Sequence, residues 1–171
     1  MNSMQELRIE KVTLNIGVGK SQDRLEKALT LLKLLTGREP VKNITQKRIQ
    51  SWGIRPGLPV GCKVTIRKDL AAEVLKRLIE AKDMQLKEGH FDKGGNVCFG
   101  LAEYIDIPGM KYNPDIGSMG FQVCVSLTRP GLRITTRKIK QNKIPMHHRV
   151  SREDALAFME KKFGVKVGGE E

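Results

Sequence analysis

The chain has 171 residues, 39% of them hydrophobic and 5% aromatic, which is enough apolar material for one domain with a core and too much for a disordered basic tail. Its 31 Lys and Arg against 19 Asp and Glu leave a net charge of +12, so the expected partner is an anion. No apolar run is long enough to span a bilayer, and residues 1–10 are polar and acidic rather than signal-like, so the chain is expected to stay in the cytoplasm.

Residues 8–16 read as a strand, with Val12, Leu14 and Ile16 alternating against Lys11, Thr13 and Asn15. Ser21 caps a helix over 22–36, Asp23 suits its first turn, and Leu25, Ala28, Leu29, Leu32 and Leu35 keep helical spacing until Gly37 and Pro40 stop it. A short strand over 41–46 leads into a stretch rich in Gly and Pro, expected as a long exposed loop over 47–60. A strand over 62–67 follows. Asp69 then caps a helix over 70–81 whose buried stripe is Ala71, Val74, Leu75 and Leu78.

Residues 97–107, 121–127 and 132–138 read as further strands, with a second long loop over 108–119. Ser151 and Asp154 form a capping signal for a last helix that Gly164 ends. Residues 166–171 are expected to be a flexible tail. The pattern predicts an α+β fold: one domain over 1–171, with a single mixed, largely antiparallel sheet and helices on one face only, a two-layer arrangement.

Two windows of the chain hold no acid. Residues 40–68 carry Lys42, Lys47, Arg48, Arg55, Lys63, Arg67 and Lys68; residues 129–152 carry Arg129, Arg133, Arg137, Lys138, Lys140, Lys143, Arg149 and Arg152. Positive charge without neighbouring carboxylates projects into solvent, and nucleic acid is the polyanion that suits it. Strand alternation sharpens this. Lys11, Thr13 and Asn15 share one side of their strand, as do Lys63, Thr65 and Arg67 of theirs. With helices on the apolar side, the polar side is free for phosphates and 2′-hydroxyls. RNA is favoured over DNA, because no helix carries the spacing of a major-groove reader, and the few aromatics do not make a stacking platform. The window over 129–152 is either a solvated connector or lies along RNA. Trp52, the sole tryptophan, either tucks against the body or projects with its loop.

Enzyme signals are weak. Gly19-Lys20-Ser21 ends like a phosphate loop, but Leu14 stands where that motif needs glycine, and Gln22 breaks the dinucleotide pattern. His147 and His148 are adjacent and point apart in an extended segment, poor geometry for one metal, and His90 stands alone. Cys62, Cys98 and Cys124 have neither zinc-site spacing nor reason to pair as a disulfide, and are read as small residues in or near strands. No catalytic set, metal or cofactor is expected.

Three strings, VTLNIGVGKS at 12–21, GIRPGLPVGCKVTIR at 53–67 and IPGMKYNPDIGSMGFQVCVSLTRPG at 107–131, together resemble the family of the fifth protein of the large ribosomal subunit, over about residues 7–165. The ending HHRVSREDALAFMEKKFGV resembles its archaeal branch. The resemblance implies a non-catalytic ribosomal protein that binds 5S ribosomal RNA in the central protuberance beside other large-subunit RNA and proteins. It implies 5S contact at Lys11, Thr13, Asn15, Thr45, Gln46, Lys63, Thr65 and Arg67. It implies contact with the peptidyl-site tRNA at Lys47, Arg48, Trp52 and Arg55. A bridge to the thirteenth protein of the small subunit, in its head, is implied at Met110, Lys111, Tyr112 and Ile116. Further ribosomal RNA contacts would fall on Arg129, Arg133, Arg137, Lys138, Lys140, Lys143, His147, His148 and Arg149. The competing class is a stand-alone RNA-binding or RNA-modifying factor outside the ribosome.

Overall fold

The computed structural model of the chain describes residues 2–168. Strand β1 (Arg8–Gly17) buries Val12, Leu14 and Ile16 and turns Lys11, Thr13 and Asn15 to its other side. Helix α1 (Gln22–Thr36) starts as expected, with Ser21 Oγ accepting from the Arg24 N–H at 3.4 Å. It ends at Gly37, whose φ of 65° is a conformation that side chains with a Cβ rarely adopt. Leu25, Ala28, Leu31, Leu32 and Leu35 form its buried stripe, while Leu29 is only half-buried.

Strand β2 (Val41–Ile44) is shorter than expected and β3 (Pro59–Ile66) starts earlier. In α2 (Lys68–Glu80), Asp69 sits inside the first turn, where an acid favours the helix dipole, and does not cap it. Strands β4 (Gln85–Leu86), β5 (Asn96–Leu101) and β6 (Phe121–Thr128) follow, then the single turn of α3 (Arg133–Thr136), helix α4 (Arg152–Phe163) and β7 (Lys166–Val167). The capping signal of α4 is realised in full: Ser151 Oγ accepts from the Asp154 N–H, and Asp154 Oδ2 accepts from the Ser151 N–H, both at 3.1 Å.

The main sheet has the order β2-β3-β1-β6-β5, with every neighbour antiparallel. The expected mixed character is confined to a separate pair, β4 with β7, which is parallel. Lys166 and Val167 therefore pair with the body instead of opening a loose tail. Residue 1 and residues 169–171, the last of that expected tail, lie outside the described residues.

One expected strand fails and another is cut short. Residues 132–138 do not extend the sheet: Pro130 and Gly131, at φ 100°, turn the chain away after β6, which already has β1 and β5 on either side. The hydroxyls of Thr135 and Thr136 then donate to the carbonyls of Leu132 and Arg133 at 2.7 and 3.2 Å, closing a helical turn. The strand expected over 97–107 stops at Leu101; Tyr104 and Ile107 are buried from the loop that follows, which is why they read as strand residues.

The core lies between one sheet face and the helices. Val12, Leu14, Val64, Ile66, Val97, Phe99, Val123 and Val125 meet the stripes of α1 and α2 and Ala155 and Met159 of α4. Truncating one such side chain to Ala costs about 2–5 kcal/mol. No helix among the described residues is long and apolar enough to cross a membrane.

Candidate nucleic-acid interface

Pairing register gathers polar side chains from all five strands onto the uncovered face, although Lys42 of β2, opposite the buried Cys62, lies on the other side. Thr13 of β1 sits between Thr65 of β3 and Cys124 of β6, and Cys124 faces Cys98 of β5. One step along, Asn15 lies between Lys63 and Gln122; one step the other way, Lys11 lies opposite Ser126, which faces Asn96. Asn43 Nδ2 of the edge strand β2 donates to Asn15 Oδ1 at 3.1 Å. The centre of this face is therefore hydroxyls, amides and thiols, with cations on one side. Sequence reasoning misses Gln122, Ser126, Asn96 and Asn43, although the alternation of Phe121, Val123, Val125 and Leu127 in β6 marks Gln122, Cys124 and Ser126 as facing away from the core.

The face is not free of acid. A β-bulge between Ile9 and Lys11 inserts Glu10 into β1, and Glu10 Oε1 accepts from Arg67 Nη1 at 3.3 Å. The first acid-free window thus meets a carboxylate from a distant segment, which no scan along the chain would place there. Gln46 is exposed, while Thr45 Oγ1 is buried and has no hydrogen-bond partner among the described residues, so Thr45 is not presented to a ligand as expected.

The three cysteines are free and lie in β3, β5 and β6. Burial, and then a hydrogen bond with Cys124, push the Cys98 thiol up to about 12; burial alone pushes Cys62 up to about 11. Both are neutral thiols near pH 7, unsuited to nucleophilic chemistry. Desolvation, with Lys82 and Lys87 nearby, lowers the pKa of His90.

The loop over 47–60 is a small hairpin. Ile49 and Ile54 exchange both backbone hydrogen bonds at 3.0 Å, and Ile54 is buried. Trp52 stands at the tip, 64% exposed, with Lys47, Arg48 and Arg55 exposed around it. Gly53, at φ 63°, lets Lys20 Nζ lie so close that an added Cβ would meet it at 2.8 Å. The loop over 108–119 is also fixed. Arg77 donates twice to Pro108 O, at 3.2 and 3.1 Å, and Tyr104 Oη accepts from the Asn113 N–H at 2.9 Å. Lys111 and Tyr112 are exposed and Met110 is half-buried. Ile116, against expectation, is 4% exposed and belongs to the core, so it is not a contact residue.

The basic arm over 129–151 divides in two. Arg133, Arg137, Lys138, Lys140, Lys143, His147 and Arg149 are exposed. Arg129 and His148 fasten the arm down: Arg129 Nη2 donates to Asp154 Oδ2 at 2.7 Å and Nη1 to His147 O at 3.2 Å, and the His148 Nε2–H donates to Pro130 O at 2.9 Å.

These features define a basic protein whose one open sheet face offers hydrogen-bonding groups edged by cations, with two rigid projecting loops. Residues 2–55 match the model of the family described as Ribosomal protein L5, and residues 59–158 match the model of the C-terminal part of the same ribosomal family. The chain is 47% identical over 165 residues to the large ribosomal subunit protein uL5 of Nanoarchaeum equitans, covering 96% of this chain and 97% of that one. It is 45% identical over 166 residues to that of Sulfolobus acidocaldarius, covering 97% and 93%, and 42% identical over 165 residues to that of Methanobrevibacter smithii, covering 96% and 97%. The chain belongs to the uL5 family of large-subunit ribosomal proteins, structural and non-enzymatic constituents of the ribosome.

Proposed function

We propose that this protein holds 5S ribosomal RNA on the open sheet face, through Lys11, Thr13, Asn15, Lys63, Thr65 and Arg67 together with Gln122 and Ser126. The observation that carries this reading is the register that gathers hydroxyls and amides from five strands onto one uncovered face with cations beside them. Hydroxyls and amides can pair with 2′-hydroxyls and phosphates alike, and the cations add the salt-dependent part of affinity. The exposed arm cations would lie along large-subunit RNA. The Trp52 hairpin, with Lys47, Arg48 and Arg55, would reach the peptidyl-site tRNA. Lys111 and Tyr112 would meet the thirteenth small-subunit protein across the subunit interface, and neighbouring large-subunit proteins would cover the remaining edges.

Filter binding of 5S RNA tests the central claim. Lys63→Ala with Arg67→Ala should weaken binding and flatten its salt dependence by roughly 0.7–0.9 log units for each phosphate no longer neutralised. Thr65→Val should weaken binding with little change of slope, because it removes a hydrogen bond and no charge. Parent-like affinity in both variants, with circular dichroism unchanged, would rule out this face.

A further inference from the structure

Between the open face and the basic arm runs a groove of about 940 Å³. Its floor is strand polar groups, among them Lys11, Asn96 and Ser126, and its far wall is the arm, which contributes Leu132, Ile144 and Met146. Lys93, Lys143 and Arg149 stand exposed at its rim. Among the described residues Glu10 is the one carboxylate that lines it, and Arg67 already occupies Glu10. The arm that makes the wall is held by Arg129 to Asp154 and by His148 to Pro130, so the groove is built before any ligand arrives.

Cations and aliphatic side chains make different demands on an occupant. A phosphate backbone alone would satisfy the rim and leave the aliphatic wall in water. A duplex does the same, because its bases are turned inward and already stacked. Leu132 and Met146 are both exposed, so that wall is uncovered in the free protein. An unpaired nucleotide carries both of the required surfaces, an apolar base face and an anionic phosphate, and the volume lies in the range of small-ligand sites.

We infer that this groove takes an unpaired nucleotide of bound RNA, its base against Leu132, Ile144 and Met146 and its phosphate on the cations of the rim. The inference rests on the RNA reading above and adds to it which kind of RNA element is held where: an unstacked residue in the groove, folded RNA on the open face. Selectivity among bases is weak in such a site, because an aliphatic wall offers no hydrogen bonds to base edges.

Methyl NMR on the full chain, labelled at Ile, Leu, Met and Thr, tests it with a short single-stranded RNA and with the same strand annealed to its complement. The single strand should shift the methyls of Leu132, Ile144 and Met146, and the duplex should shift Thr13 and Thr65 without them. Met146→Glu changes an exposed position and should weaken single-strand binding about tenfold relative to duplex binding; Met146→Leu should keep it. Groove methyls that answer both RNAs alike, or a Met146→Glu protein that binds the single strand as the parent does, would overturn the groove assignment while Thr13 and Thr65 still report RNA binding. Silence of every methyl toward both RNAs would overturn the RNA reading itself. Displacement of the single strand by polyglutamate, with the same groove shifts, would reassign the groove to an acidic protein segment.

Discussion

Arg129 and Asp154 meet at 2.7 Å, and through that contact the basic arm is tied to the first turn of α4. Asp154 Oδ2 also accepts from the Ser151 N–H, so one carboxylate oxygen serves both the helix cap and the arm. Asp154→Ala should cost about 1–3 kcal/mol, since it removes a cap and leaves a half-buried guanidinium short of a partner. Arg129→Ala keeps the capping box and should cost less. Urea unfolding of the two variants gives the order; a more stable Asp154→Ala protein would contradict the dual role.

Glu10 offers a gain-of-function test of the open face. Glu10→Gln removes the carboxylate that Arg67 faces and should tighten RNA binding with a steeper salt dependence, toward roughly 0.7–0.9 log units more if Arg67 turns to a phosphate. The exposed pair itself contributes little to folding, so thermal stability should hardly move. An affinity lower than the parent's would mean that Glu10 orients Arg67 for binding instead of competing for it.

The hairpin separates shape from contact. Ile54 is its buried side chain and Trp52 its exposed one. Ile54→Ala should destabilise by about 2–5 kcal/mol, and Trp52→Ala by less than about 0.5 kcal/mol. Trp52 fluorescence in the free protein should be fully open to iodide quenching. In ribosomes carrying Trp52→Ala, chemical protection at the elbow of peptidyl-site tRNA should weaken while 5S RNA binding stays at the parent level. Unchanged protection would remove the hairpin tip from the tRNA contact.

The cysteines set an alkaline limit. Cys62 and Cys98 hold their protons more tightly folded, at about 11 and about 12, than at the ordinary value of 9.0. The folded state therefore binds more protons above pH 9, and the associated stability, complete below 9.0, is lost as pH rises through 11 and toward 12. Cys98→Ala should flatten that alkaline limb in urea titrations between pH 9 and pH 11. At pH 8, Cys98 should alkylate more slowly than an unfolded control thiol.

What could be read from the chain was what repeats or caps locally. The alternation about Leu14, the cap at Ser21, the stop at Gly37 and the box of Ser151 with Asp154 each depend on residues a few positions apart, and each stands as expected. What escaped depends on distant partners. Ile134 looks like a strand residue, yet β6 already has a neighbour on either side, and Ile134 faces solvent. Ile116 lies in a polar loop but packs in the core because the loop folds back over it. Glu10 joins the open face only through a bulge, and the β4–β7 pair is too short to leave a pattern. The candidate site was half legible: two strands gave Lys63, Thr65 and Asn15, and only the register brought Gln122, Ser126 and Asn96 beside them.

The sheet order also bears on how the chain is made. β1 is the first strand to be synthesised and the central strand of the finished sheet, flanked by β3 and by β6, which ends at Thr128. Until β6 has emerged, the nascent chain carries its central strand with one edge open, and the last closure spans most of the sequence. Sheets closed by such distant pairings form slowly and expose sticky edges while they wait. The molecule is therefore most vulnerable to misassociation during its own birth, and it completes its open sheet face only once β6 has been translated.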